Sequence, residues 1–142
     1  MRKNKLIVSY DYDFVLLGLT APVKDYKLAW SINKSLDIHL KREDDLHIDF
    51  IGNQHVVISN FHFEKEHCKL RLLKNKAEEE SRPPVAHLLP ELAELDYFFM
   101  ITDPAANFPV STVMQKLKEL DIVQFLTRLR IDTLKNKENL IF

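Results

Sequence analysis

The sequence predicts an α+β fold: a two-layer sandwich with a mostly antiparallel five- or six-stranded sheet and two main helices on one face. Three observations predict it. The elements run strand, helix, three strands, strand, helix, strand. Two helices are too few to cover both faces of so large a sheet, so both belong on one. The central connections are too short for parallel crossovers, which favours antiparallel pairing. The 142 residues are enough for one domain, 1–142, that buries a core without disulfides or a structural metal. The face away from the helices is then expected to be polar or to bury itself against a second subunit.

Residues 6–10 and 14–20 are rich in β-formers, with Asp11-Tyr12-Asp13 between them, and read as one bent strand or two short ones. Over 23–36 the pattern turns helical. At 100° per residue Tyr26, Leu28, Ala29, Trp30, Ile32 and Leu36 share a broad apolar arc, opposite Lys27, Ser31, Lys34 and Ser35. Pro22 sits near the start, where proline is tolerated. Asn33 falls inside the apolar arc and is expected to be a buried amide bonded to backbone, with a ligand contact as the alternative.

A strand follows over 46–51, preceded by Arg42, Glu43, Asp44 and Asp45, which read as a solvated turn. Residues 56–63 and 67–73 both alternate, as a hairpin does. A register centred on Glu64-Lys65-Glu66 puts Val57, Phe61, Phe63, Cys68, Leu70 and Leu72 on one face, and Asn60, His62, His67, Lys69 and Arg71 on the other. Residues 74–88 are polar, with Glu78-Glu79-Glu80 and Pro83-Pro84, and are expected to form a mobile loop. Residues 95–102 are almost wholly apolar, as in a central strand covered on both faces. Val110, Val113, Met114, Leu117 and Leu120 mark the second helix, over 109–120. The last strand spans 123–131, with Val123, Phe125, Leu129 and Ile131 inward and Gln124, Arg128 and Arg130 on the other side.

Composition excludes more than it assigns. Net charge is −1, from 20 basic and 21 acidic residues, so the phosphate-neutralising excess of a nucleic-acid binder is missing. One cysteine, Cys68, allows no internal disulfide, and no apolar run approaches a membrane span, which suits the cytoplasm. Two glycines, Gly18 and Gly52, cannot build a Walker loop or a dinucleotide fingerprint. His62-Phe63-Glu64 matches the first half of a zinc-deaminase motif, but the cysteine half is missing. No cofactor and no metal are expected.

Leu89-Pro90-Glu91-Leu92-Ala93-Glu94-Leu95-Asp96-Tyr97 resembles the signature of the I-P-E-x-x-x-V-D-Y family, with Leu89 for Ile and Leu95 for Val. Asp11-Tyr12-Asp13-Phe14, Leu16-Leu17-Gly18, Asp25-Tyr26, Leu28-Ala29-Trp30, Asn33 and the ending through Leu140-Ile141-Phe142 are similar to further blocks of that family, in the same order. The resemblance implies a small bacterial protein of the cytoplasm. It carries no activity, cofactor or catalytic residue over to this chain.

Two readings of the signature compete. In the structural one, Pro90 and Glu91 open a short helix, Leu92 and Leu95 anchor it, and Asp96-Tyr97 start the central strand. In the other, Glu91 and Asp96 join Asp11 and Asp13 in a carboxylate cluster for acid–base work or a hard cation, with Trp30 and Asn33 lining the pocket. His62 and His67 share a hairpin face but lack a third metal ligand, and Cys68 reads as an inert core thiol. Lys69, Arg71, Arg128 and Arg130 would make a basic face for RNA if their strands were neighbours. The apolar ending, Leu140-Ile141-Phe142, is expected to dock within the same protein or dimer. These readings rank a non-catalytic protein-interaction module first, pairing with itself as a homodimer or with another protein. A small enzyme or ligand-binding protein comes next, and RNA binding last.

Overall fold

The computed structural model describes residues 12–50, 54–82 and 86–142. The chain folds as β1 (Val15–Thr20), α1 (Asp25–Leu36), β2 (Lys41–Phe50), β3 (Gln54–Lys65), β4 (Cys68–Lys74), β5 (Tyr97–Thr102), α2 (Val110–Lys118) and β6 (Phe125–Leu129). Single 3₁₀ turns cover Pro90–Leu92, Ile131–Thr133 and Lys137–Leu140. The six strands form one antiparallel sheet in the order β2-β3-β4-β5-β1-β6. The expected strand over 6–10, and Asp11, lie outside the described residues.

The β3–β4 hairpin has the register its alternation predicts, with Phe61 opposite Leu72 and Phe63 opposite Leu70. Because side chains alternate between faces, Phe61, Cys68, Leu70 and Leu72 join Leu17, Leu19, Phe99 and Ile101 on the helix side. There they meet Leu28, Ala29, Ile32 and Leu36 of α1, and Val113 and Leu117 of α2. Each of the valine, leucine, isoleucine and phenylalanine side chains taken fully out of water contributes about 1.5–3 kcal/mol.

The opposite face is not bare. Leu16, Val56, Ile58, Leu73, Phe98 and Met100 are covered by Ala77, Leu88, Leu89, Leu95 and Leu140. These belong to two irregular segments, a strap made of residues 75–82 and 86–96 and the closing segment after β6. The described residues of the expected mobile loop that follow β4, 75–82 and 86–88, form the start of this strap. Ala77 N–H bonds to Ala86 carbonyl, Leu88 N–H to Asn75 carbonyl, and Glu78 N–H to the carbonyl of Val57, in the part of β3 that lies beyond its pairing with β4. Gly18 permits the close approach, since a Cβ there would stand 2.5 Å from Leu95 Cδ1.

Three expectations need correction. Arg42, Glu43, Asp44 and Asp45 are strand, not turn; β2 starts at Lys41, and its register shifts between Glu43 and Leu46. As an edge strand it needs no apolar alternation along its whole length. Tyr26 and Trp30 are 63% and 60% exposed, not core. On the helical wheel both fall beyond the edge of the arc that Leu28, Ala29, Ile32 and Leu36 bury. In β6 it is Leu126 that packs under the helices, while Phe125 is 53% exposed.

Candidate functional site

Of the carboxylates singled out in the sequence, the three that are described, Asp13, Glu91 and Asp96, do not form one cluster. Asp13 precedes β1 and Asp96 lies beyond its other end, where Leu19 pairs with Tyr97. A six-residue strand of roughly 20 Å therefore separates them. Glu91 and Asp96 both belong to the strap, and each is taken up by main chain or amide donors. Glu91 Oε2 accepts from Asn136 N–H at 2.9 Å, and Oε1 accepts from Asn136 Nδ2 at 2.7 Å. Burial opposes ionisation of Glu91, but the Asn136 donors outweigh it and hold the carboxyl below its usual range.

Asp96 is a three-way staple. Its Oδ2 accepts from Ala21 N–H at 2.9 Å, its own N–H donates to Leu19 carbonyl, and its carbonyl accepts from Asn75 N–H. The next residue, Tyr97, donates its hydroxyl to Val23 carbonyl. Burial, then the negative charges of Asp25 and Asp96, pushes the Tyr97 hydroxyl above the ordinary tyrosine range. Pro90 and Glu91 do open a short helical turn, and β5 does start at Tyr97. The signature thus fastens β1, the strap and the closing segment to one another.

Asn33 uses its amide on one residue: Oδ1 accepts from Leu40 N–H at 2.7 Å and Nδ2 donates to Leu40 carbonyl at 3.2 Å. That closes the α1–β2 connection, where Asp37 takes a left-handed conformation at φ 55°. Trp30 stands on the outer face of α1 with Lys34 Nζ 4.5 Å from its ring centre. Neither residue lines a pocket shared with a carboxylate of the expected cluster.

His62 and His67 are not opposite each other. His62 faces Arg71 across the hairpin, between Glu43 and Glu64, and His67 lies in the turn. Burial lowers the Arg71 pKa, against the opposing charges of Glu43 and Glu64. Cys68 is buried; desolvation, then the Asp103 carboxylate, pushes its thiol up to about 11, which leaves it a poor nucleophile. The basic face proposed for RNA is not assembled. β4 and β6 are separated by β5 and β1, and Arg128 pairs with helix-side Leu17 while Arg71 pairs with strap-side Met100.

Several open cavities flank the sheet, and two of them adjoin carboxylates singled out in the sequence. One of about 580 Å³ is rimmed by Asp13, Glu64, Glu66, His67, Lys69 and Asp103. The other, about 460 Å³, lies beside the signature, between Lys24, Lys74, Lys76, His87 and Asp96. Among the described residues no group of three or more His, Cys, Asp or Glu side chains is placed to hold a metal ion. No helix among them is long and apolar enough to cross a membrane.

Sequence reasoning missed three groups. Asn75 is wholly buried: Nδ2 donates to the carbonyls of Leu92 and Leu95, both at 2.9 Å, and Oδ1 accepts from Leu89 N–H at 3.0 Å. Asp25 accepts from Ser59 Oγ, Arg42 and Tyr26 N–H. His47 and His55 stand 3.0 Å apart, with Asp49 on the far nitrogen of His55. The histidine pair alone had a signal, since His47, opposite Val57, and His55, opposite Asp49, become diagonal neighbours on one face once the β2–β3 register is known.

No family model matches the sequence, and no curated protein or solved structure is similar to it.

Proposed function

We propose that this chain is a non-catalytic protein-interaction module that pairs with a second copy of itself through the outer face of α1. The observation that carries the reading is the exposure of Tyr26 and Trp30, one helical turn apart on the same ridge. Large aromatic side chains standing in water are the usual anchors of protein interfaces. Lys34 and Asp37 continue the ridge toward the C-terminal end of α1. An antiparallel pairing centred on Trp30 brings Lys34 of one copy over Tyr26 of the other, the same cation–π contact that Lys34 makes with Trp30 within the chain. The ridge is therefore complementary to itself, as a two-fold interface requires.

The separation of Asp13 from Glu91 and Asp96, and the uptake of the latter two by hydrogen bonds to the fold, support the non-catalytic half of the reading. With much of the sheet's second face covered by the strap, α1 takes over the role that an uncovered sheet face was expected to play. The cytoplasmic setting and the relation to the I-P-E-x-x-x-V-D-Y family belong to the same proposal, supported by the lone cysteine and by the ordered blocks of similarity.

Trp30 is the only tryptophan, so its emission reports directly on this face. Sedimentation velocity should show a dimer, and raising the protein concentration should move the emission to shorter wavelength. Trp30→Ala with Tyr26→Ala should yield a folded monomer. A parent chain that stays monomeric at every concentration, with unshifted emission, overturns the proposal.

A further inference from the structure

Beyond the α1 face, the cavity beside the signature has a charge pattern that the rest of the chain does not explain. Lys74 closes β4 opposite Tyr97, and Lys76 pairs with His87 across the base of the strap. Asn75, between the two lysines, points inward and is held by three side-chain and two main-chain hydrogen bonds. Alternation along extended chain then turns Lys74 and Lys76 to the same, outer side. Lys24 comes from the opposite wall, in the β1–α1 connection that Asp96 and Tyr97 tie down at Ala21 and Val23. Among the described residues none of these three lysines has a carboxylate within ion-pair distance.

Three ammonium groups against the single carboxylate of Asp96 leave an excess of two positive charges around the cavity. A phosphate monoester carries about −1.5 to −2 at neutral pH, and lysine binds phosphate as a point charge. In a chain of net charge −1, cations gathered without partners around a space of about 460 Å³ match an anion of that charge. We propose that this cavity binds a small phosphate-bearing molecule, with Lys24, Lys74 and Lys76 on the phosphate and His87 at the rim. The apolar wall of Pro22, Val23 and Leu95 would take the uncharged part of the ligand.

The test is a titration of ¹⁵N-labelled protein with inorganic phosphate, then pyrophosphate, at constant ionic strength set with chloride. The expected result is a saturable set of shifts confined to the amides around the cavity, Ala21, Lys74, Lys76, His87 and Asp96, tighter for pyrophosphate. Lys24→Met with Lys76→Met should weaken binding about tenfold or more. Both positions are exposed, and the same spectra show whether the fold is kept. Lys116→Met, on the exposed side of α2, should change nothing. Shifts that do not saturate, that scatter over all surface lysines, or that fall equally in the Lys116 variant overturn the proposal. Trp30 emission reads the α1 face separately, so the two proposals can fail independently.

Discussion

On the helix side of the sheet, Leu28, Ile32, Leu36, Val113 and Leu117 reach the strands from two regular helices. On the strap side, Leu88, Leu89, Leu95 and Leu140 reach them from chain with almost no repeating structure. The helix side buries the larger set, but both are built from the same kinds of apolar side chain, so the nature of the hydrophobic contacts does not distinguish them. The polar bookkeeping does. A helix satisfies its own N–H and C=O groups, whereas irregular chain pressed against a sheet must find a partner for each one. Asn75, Glu91, Asp96 and Asn139 supply those partners, Asn139 through Nδ2 to Leu88 carbonyl at 2.7 Å. Within the helices no such side-chain partner is needed, and on that side an amide serves only the α1–β2 connection, at Asn33; the irregular strap needs buried amides and part-buried carboxylates along its length.

The largest test of this comparison uses neighbouring residues of β5. Phe98 points to the strap and Phe99 to the helices, and both are wholly buried. Truncation of either to alanine should cost about 3–5 kcal/mol in urea denaturation. A loss below about 1 kcal/mol for Phe98 alone would mean that the strap does not pack as firmly as a helix layer does.

The polar difference should appear next. Asn75→Ala strands two carbonyls and one N–H in the interior, an expected loss of about 3 kcal/mol. Asn33→Ala, on the helix side, strands one N–H and one carbonyl of the half-buried α1–β2 connection, about 1–2 kcal/mol. Equal losses in the same denaturation series would remove the distinction between the two faces.

The smallest effect concerns Glu91. A carboxylate held below its usual range stabilises the fold above that range, and the stabilisation is lost as pH falls through the folded-state value. Glu91→Gln should therefore cost about 0.5 kcal/mol at neutral pH, since solvent screens this part-exposed site. The gap in melting temperature between parent and variant should close on acidification below about pH 4. A gap unchanged down to about pH 3 would show that the Glu91–Asn136 pair does not depend on the charge.

The helix side was the legible one. Its residues repeat at 3.6 or at 2, and repetition is what a sequence displays: the β3–β4 register and α2 follow from spacing, while the central position of β5 follows from its unbroken apolar run. Tyr26 and Trp30 were misplaced because an apolar arc drawn by residue type ignores that Tyr and Trp, each with a polar tip, also stand at the surface. Asn33 was legible as a buried amide because it interrupts a periodic face. Asn75 was not, because it sits among polar residues where nothing is interrupted. The strap itself looked like a loop for the same reason. Its anchors act through hydrogen bonds to backbone that is distant in sequence, and no local pattern records such a partner. The basic cavity needs β4, the strap and the β1–α1 connection to converge, which only the strand order supplies.

The position of β1 carries a kinetic consequence. The hairpins β2–β3 and β3–β4 join strands that follow one another directly, but β1 lies between β5 and β6. Its partners come about 80 and about 110 residues later, Phe99 and Arg128 for Leu17. Loop-closure entropy must be met in full before those pairs return any free energy. Until it is met, β5 can pair with β4 but its other edge stays open, and β1 has none of its ladder bonds. The slowest step in assembling this protein is therefore expected to be the capture of its first described strand, and while it waits the unpaired edge of β5 is the surface at which other chains would add.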